Sequence, residues 1–393
     1  MPPTRNRLTP LRFVVLFGVV SALADFVYEG GRSIVGPYLA TLGASATAVG
    51  VITGAGEAVA LVLRLGTGML ADRTRRHWAL SIGGYVLTVV SIPLLAVAKQ
   101  LGAAATLVIA ERFGKAVRTP ARDTMIAHAS ARLGRGWGFG LHEALDQTGA
   151  FAGPLLVALV LALGGGFTGG FAVLAVPAVL TLAVVARLRA AAPDPIAYDP
   201  EPVASAADAD QPALNGHLGV YAAFTALTML GYATFAVLAY HLHVRQVVPD
   251  WQIPLVYAVA MGVDGLTALA AGRLYDRVGL RGLVALPLLS AVVPILSFST
   301  SAPLVWVGAA VWGAAMGIHE STMRAAVADL VPRARLATGY GAFTAIYGLA
   351  WLAGSATLGA LYDYRVGAAV LFVLVVQAIA LAAFLPLALE RRP

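Results

Sequence analysis

The chain has 393 residues, 59% of them hydrophobic and 12% charged, with a mean hydropathy of +0.80 and a formal charge of +7. A water-soluble protein of this size needs far more polar surface than that, and the absence of cysteine excludes disulfides and thiolate metal sites. The basic excess does not point to nucleic acid, because it sits in the connections between apolar runs (Arg73, Arg75 and Arg76; Arg187 and Arg189; Arg273, Arg277 and Arg281; Arg333 and Arg335).

In chain order the apolar runs occupy 11–40, 46–70, 79–98, 102–127, 136–164 and 168–189, then 217–243, 252–273, 282–300, 303–328, 337–361 and 367–389. Each is near the ~20 residues that cross ~30 Å of hydrocarbon at helical rise. The expectation is an all-α integral membrane protein of twelve transmembrane helices, since a closed barrel would show alternating strands of ~10 residues. The basic N-terminus lacks an A-x-A-like cleavage site and reads as the start of the first helix. Between the two sets of six, residues 190–216 carry five prolines and five acids and read as a flexible linker. The predicted organisation is a six-helix bundle at 1–189, the linker, and a second bundle at 217–393. Every second connection is basic, which predicts a bacterial inner membrane protein with the linker and both termini cytoplasmic.

Charged residues inside apolar runs are the candidate machinery, because burying a charge in a bilayer is costly unless it faces water or a partner. The first run holds Asp25 and Glu29 one turn apart, with Arg32 a local partner for Glu29. A carboxyl group there feels burial and nearby cations in opposite directions, which suits the loading and release of a proton. The second run adds Glu57 and Arg64. The fourth carries ERFGKAVRTPARD at 111–123, and only a helix running to about Ala127 preserves the crossing. On that helix Glu111, Arg112, Lys115, Arg118 and Arg122 fall within a sector of about 120°, opposite Phe113 and Val117. We read Arg112, Lys115 and Arg118 as lining a substrate cavity, with Arg112 a partner for Asp25 or Glu57. Arg122 and Asp123 can instead snorkel to the interface. The fifth run contributes His142 and Asp146 on one face and Glu143 and Gln147 on the next. In the second set, Asp264, His319, Glu320 and Arg324 join the cavity candidates. His241 and His243, two apart, do not share a helix face and read as structural rather than as metal ligands.

The halves repeat. GMLADR at 68–73 returns as GRLYDR at 272–277, and GFGLHEALDQTGAFAGP at 138–154 as GYGAFTAIYGLAWLAGS at 339–355. Two like-oriented six-helix halves are a transporter architecture. The turn sequences resemble the G-x-L-x-D-R-x-G-R-[RK] motif of the major facilitator superfamily. Gly68, Leu70, Asp72, Arg73 and Arg76 match in the first copy, where Arg75 replaces the second glycine. Gly272, Leu274, Asp276, Arg277, Gly279 and Arg281 match in the second. The resemblance implies that Gly68, Asp72, Arg73, Arg76, Gly272, Asp276 and Arg277 form conformational latches, Asp72 toward the eleventh helix and Asp276 toward the fifth. Gly149, Gly153 and Pro154 resemble the G-x-x-x-G-P signature of proton-coupled drug antiporters, a pattern that close helix packing also produces. The whole chain is similar to a sparsely characterised prokaryotic subgroup of that superfamily.

The function these observations predict is secondary active transport by alternating access, with proton-coupled export of a small organic molecule first. Uptake of an anionic metabolite and lipid flipping are the alternatives. The expected partners are a small-molecule substrate, protons or another coupling ion, and the bilayer. No nucleic acid, cofactor or metal is expected, the state is monomeric, and no nucleophile elbow or HExxH motif suggests an enzyme.

Overall fold

A computed structural model describes residues 6–131, 133–199, 216–331 and 336–389. Most of the linker, together with Arg333 and Arg335, lies outside them, as do the side chains of Arg324 and Asp329. The described residues form fourteen α-helices, four short 3₁₀ segments and no strand. The helices are α1 (Pro10–Thr41), α2 (Ala46–Thr74), α3 (His77–Leu94), α4 (Leu101–Ala129), α5 (Arg135–Ala162), α6 (Gly166–Val173) and α7 (Ala175–Ala191). After the linker come α8 (Gly216–Leu230), α9 (Phe235–Val244), α10 (Ile253–Val278), α11 (Ala285–Ser297), α12 (Ala302–Leu330), α13 (Leu336–Tyr364) and α14 (Val366–Leu389).

Each of the twelve predicted runs coincides with one helix or with two consecutive ones. The sixth run breaks at Leu174, and the seventh at residues 231–234, where Thr234 turns extended. A break at membrane depth must satisfy its freed backbone groups inside the protein. Gln377 Nε2 donates to the Thr228 carbonyl at 3.0 Å and Trp312 Nε1 donates to the Ala233 carbonyl at 2.7 Å, which does so here. Among the described residues ten helical stretches are long and apolar enough to cross a membrane. One of them, Asp250–Ser297, contains both α10 and α11, whereas α4 is too charged to qualify although it is 29 residues long.

Packing divides the chain into two compact units: Met1–Arg32 with Leu63–Ser205, and Ser33–Val62 with Ala206–Pro393. Two unbroken helices, α1 and α2, each contribute to both. In the first unit Phe13, Phe17 and Trp78 pack face and edge, with Phe17 stacked on Trp78 at 5.8 Å. There α3 meets α4 backbone to backbone. A Cβ at Gly84 would lie 2.6 Å from the Gly114 carbonyl, and one at Gly114 2.7 Å from the Gly84 carbonyl. Gly149 and Gly153 press onto the Ala22 and Phe26 carbonyls of α1, so both glycines of the G-x-x-x-G-P segment serve close packing. In the second unit, α10 packs on α12 in the same way, through Gly313 and Gly317.

The turn after α2 shows what the departure from the superfamily motif costs. Arg75, where the motif has glycine, holds a left-handed φ of 51°. The second copy keeps the glycine, and Gly279 has a φ of 62°. Glycine adopts such a φ without a steric penalty, and arginine does not.

Candidate functional site

The charged face of α4 turns inward within the first unit. Glu111, Arg112 and Arg118 are buried, Arg118 to 1% exposure, while Phe113 on the opposite face is 42% exposed. Pairing with α1 makes that burial tolerable. Arg118 Nη2 donates to Asp25 Oδ1 at 3.3 Å, and its guanidinium lies 4.6 Å from the centre of the Tyr85 ring on α3. Lys115 Nζ donates to the Tyr28 hydroxyl at 2.6 Å and stands 4.1 Å from the centre of that ring. Arg112 approaches the same ring to 5.0 Å, and its Nε is 3.1 Å from Glu111 Oε2. A ring quadrupole attracts each of these cations, so Tyr28 collects two of them beside Asp25 and Glu29.

One turn further along, Arg122 pairs with Asp123 at 2.9 Å and donates to Ser21 at 3.4 Å. Ser21 also bonds Tyr85 at 3.0 Å and His142 of α5 at 2.8 Å. Asp146, also on α5, lies within electrostatic reach of Arg122, Arg118 and Asp25. Its Oδ1 is buried without a hydrogen bond, and so are Nε and Nη1 of Arg118. The first unit thus joins Asp25, Glu29, Arg112, Lys115, Arg118 and Asp146 of the predicted set. Asp25 takes Arg118 rather than Arg112 as its hydrogen-bonded cation, while Arg112 lies against the Tyr28 ring and Glu111. Glu29 makes the local pair with Arg32, at 3.6 Å. Glu143 is exposed on the adjacent face of α5. Sequence reasoning did not single out Tyr28, Tyr85 or Ser21. Tyr28 was findable, since it shares a helix face with Asp25 three residues before it.

In the second unit Asp264 and His319 are each 2% exposed, on the tightly packed helices α10 and α12. His319 Nδ1 is 2.9 Å from Met323 Sδ, and the imidazole meets Tyr232 and Tyr347 edge-on at 5.3 and 5.8 Å. Glu320 is exposed and Glu57 half-buried, while the side chain of Arg324 lies outside the described residues. His241 and His243 diverge, to the Tyr362 hydroxyl at 2.8 Å and to Asp250 at 2.7 Å. The turn residues Asp72, Arg73, Arg76, Asp276 and Arg277 are exposed, and Gly68 and Gly272 half-buried.

Long apolar helices carrying buried charge define a multi-pass helical membrane protein. More specifically, the sequence matches the profile of the Major Facilitator Superfamily over residues 21–355 and 217–393, and the chain belongs to that superfamily. It is 49% identical over 391 residues to an uncharacterized protein of Mycobacterium tuberculosis, covering 99% of this chain and 96% of the relative. An uncharacterized MFS-type transporter of Methanocaldococcus jannaschii is 28% identical over 148 residues, 38% of this chain and 37% of that one. Among solved structures, the nucleoside transporter NupG superposes with a TM-score of 0.74 at 13% identity, covering 96% of this chain and 100% of that one. A POT family transporter in complex with 5-aminolevulinic acid gives 0.76 at 15%, covering 96% and 97%. A bacterial homologue of the human lysosomal transporter Spinster gives 0.69 at 16%, covering 96% and 97%. At these identities the likeness is one of fold.

Proposed function

We propose that this transporter exports a small organic molecule in exchange for protons, from the cytoplasm across the inner membrane of a bacterial cell, as a monomer with both termini cytoplasmic. Its two halves, 1–189 and 217–393 joined by the cytoplasmic linker, alternate access to a central cavity. The observation that carries the coupling is the buried Asp25–Arg118 pair between α1 and α4. Breaking such a pair leaves an uncompensated charge, so its opening has to be matched by a proton on Asp25 or by a ligand on Arg118. Asp25, Glu29 and Glu57 are the proton-handling carboxylates in this reading. Arg112, Lys115, Arg118, Glu143 and Asp146 face the solute from the first half, and Asp264, His319, Glu320 and Arg324 from the second. Gly68, Asp72, Arg73 and Arg76, with Gly272, Asp276 and Arg277, act as the latches.

A second reading, uptake of an anionic metabolite, is favoured by the two unpartnered guanidinium nitrogens of Arg118, Nε and Nη1, beside Lys115. The nucleoside transporter and the POT family transporter with 5-aminolevulinic acid among the structural neighbours are in keeping with a small organic solute and do not choose one. Purified protein in liposomes with a trapped pH-sensitive dye tests the proposal. Addition of solutes from nucleoside, peptide, organic-anion and organic-cation classes should drive a saturable pH change. That change should vanish in Asp25→Asn/Arg118→Met, which removes both charges together. A solute that accumulates without any pH change overturns proton coupling, and dequenching of labelled lipid without solute movement replaces the reading with lipid flipping.

A further inference from the structure

The second unit contains a piece of the first half of the sequence, the hairpin 33–62 that joins α1 to α2. The first backbone N–H groups of α2 have no partner within the helix. Asp363, next to the last residue of α13, supplies one. Its Oδ1 accepts the N–H of Ala46 at 3.0 Å, and its Oδ2 accepts the N–H and the hydroxyl of Thr47 at 2.8 and 2.6 Å. A carboxylate at a helix N-terminus gains both from charge-assisted hydrogen bonds and from the helix dipole.

Beyond this clasp the contact is a seam of bare backbone. A Cβ on Gly359 would collide with the Ala46 carbonyl, one on Gly50 with the Ser355 carbonyl, and one on Gly36 with the Ala236 carbonyl of α9. Ala46 and Ser355, which make these contacts, are at 0% exposure, and Leu39 and Val49 on the hairpin are buried to the same degree. Two features make the seam separable. Asp363 itself is exposed, so water can take over its hydrogen bonds, and the approaches at Gly36, Gly50 and Gly359 are to backbone carbonyls rather than to interlocked side chains.

We propose that Asp363 and the glycine seam form a releasable gate, closed in this structure, which opens when the hairpin 33–62 parts from α9 and α13. The gate rests on the alternating-access reading above and adds to it a residue that the motif does not contain. Asp363 does at the start of α2 what the motif expects of an aspartate in a turn: it caps a helix N-terminus with a carboxylate. On the proposed orientation the gate faces the periplasm.

The natural lack of cysteine gives a clean test. Val49→Cys places a thiol at a fully buried position beside Gly50 of the seam, and Thr41→Cys provides an exposed control. In protein reconstituted in liposomes, Asp363→Ala should raise the labelling rate of Val49→Cys by an impermeant maleimide by on the order of tenfold, as the loss of charge-assisted hydrogen bonds implies. The control rate should stay unchanged. Gly50→Val, which wedges the seam, should act in the same direction. If Asp363→Ala elutes as an aggregate, Thr47→Val removes the hydroxyl bond alone and should give a smaller rise of the same sign. A Val49→Cys rate equal to that of the parent in every variant that elutes as folded protein overturns the gate. Labelling needs no solute, so a gate that responds while no solute moves protons sinks the coupling proposal and leaves the gate standing.

Discussion

Removal of one partner from the Asp25–Arg118 pair should cost more than the pair itself contributes. Arg118 is 1% exposed and the Asp25 side chain 10%, so either charge left alone stays in an apolar interior. Breaking a buried pair costs about 3–5 kcal/mol, whereas replacing both members by neutral residues of similar volume is often close to neutral. Arg118→Met further forfeits the guanidinium's contact with the Tyr85 ring, of order 1–2 kcal/mol when desolvated. Asp25→Asn should therefore lower stability by roughly 3–5 kcal/mol and Arg118→Met by roughly 4–7 kcal/mol. The double variant should be no worse than the better single one. At roughly 2 °C per kcal/mol for a chain of this size, the single variants melt on the order of 10 °C early. Thermal unfolding in detergent, followed by fluorescence-detected size exclusion of a tagged chain, reads both quantities. If the losses of the two single variants add in the double, the carboxylate and guanidinium are energetically independent, and the site built on their pairing is wrong.

Arg75→Gly should stabilise the turn after α2. Relief of ~1–2 kcal/mol of left-handed strain outweighs the ~0.4–1 kcal/mol by which glycine favours the unfolded chain. A melting temperature that falls would show that the arginine side chain contributes more than its backbone costs. Gly114→Val sets a side chain against the backbone of Gly84 and Thr88, neither of which can yield, so a loss near the ~3 kcal/mol end of overpacking costs is expected. Normal expression and melting of that variant would contradict the close α3–α4 contact. A reporter active only outside the cytoplasm, fused after Pro393, should stay silent, because the arginines occupy alternate connections. Strong activity there overturns the orientation.

Much of the fold was legible because hydrophobic length is a strong signal in a membrane protein: all twelve apolar runs coincide with helices. The charged fourth run was readable as a helix, since Arg112, Lys115 and Arg118 lie on one face only at helical spacing. Which cation meets which acid was not legible. The choice between Arg112 and Arg118 for Asp25 is made by the contact of α4 with α1, between residues 93 apart in sequence. The break at 231–234 was hidden for a similar reason. Its run GYATF is apolar, and only the distant Gln377 and Trp312 make a non-helical backbone affordable there. Asp363 was passed over because it sits at the end of its run, where a charge needs no explanation; its role comes from Ala46 and Thr47, more than 300 residues earlier.

Alternation of access to the α4 site is the central claim, and the two-sided labelling of one residue tests it most directly. Lys115→Cys in the otherwise cysteine-free chain should be examined in right-side-out and inside-out vesicles with an impermeant maleimide. The account predicts labelling from both sides, with an imposed pH gradient raising the rate on one side while lowering it on the other. Labelling from the cytoplasmic side alone, unmoved by the gradient, would mean that residue 115 lies in a fixed cytoplasmic opening, and would contradict it.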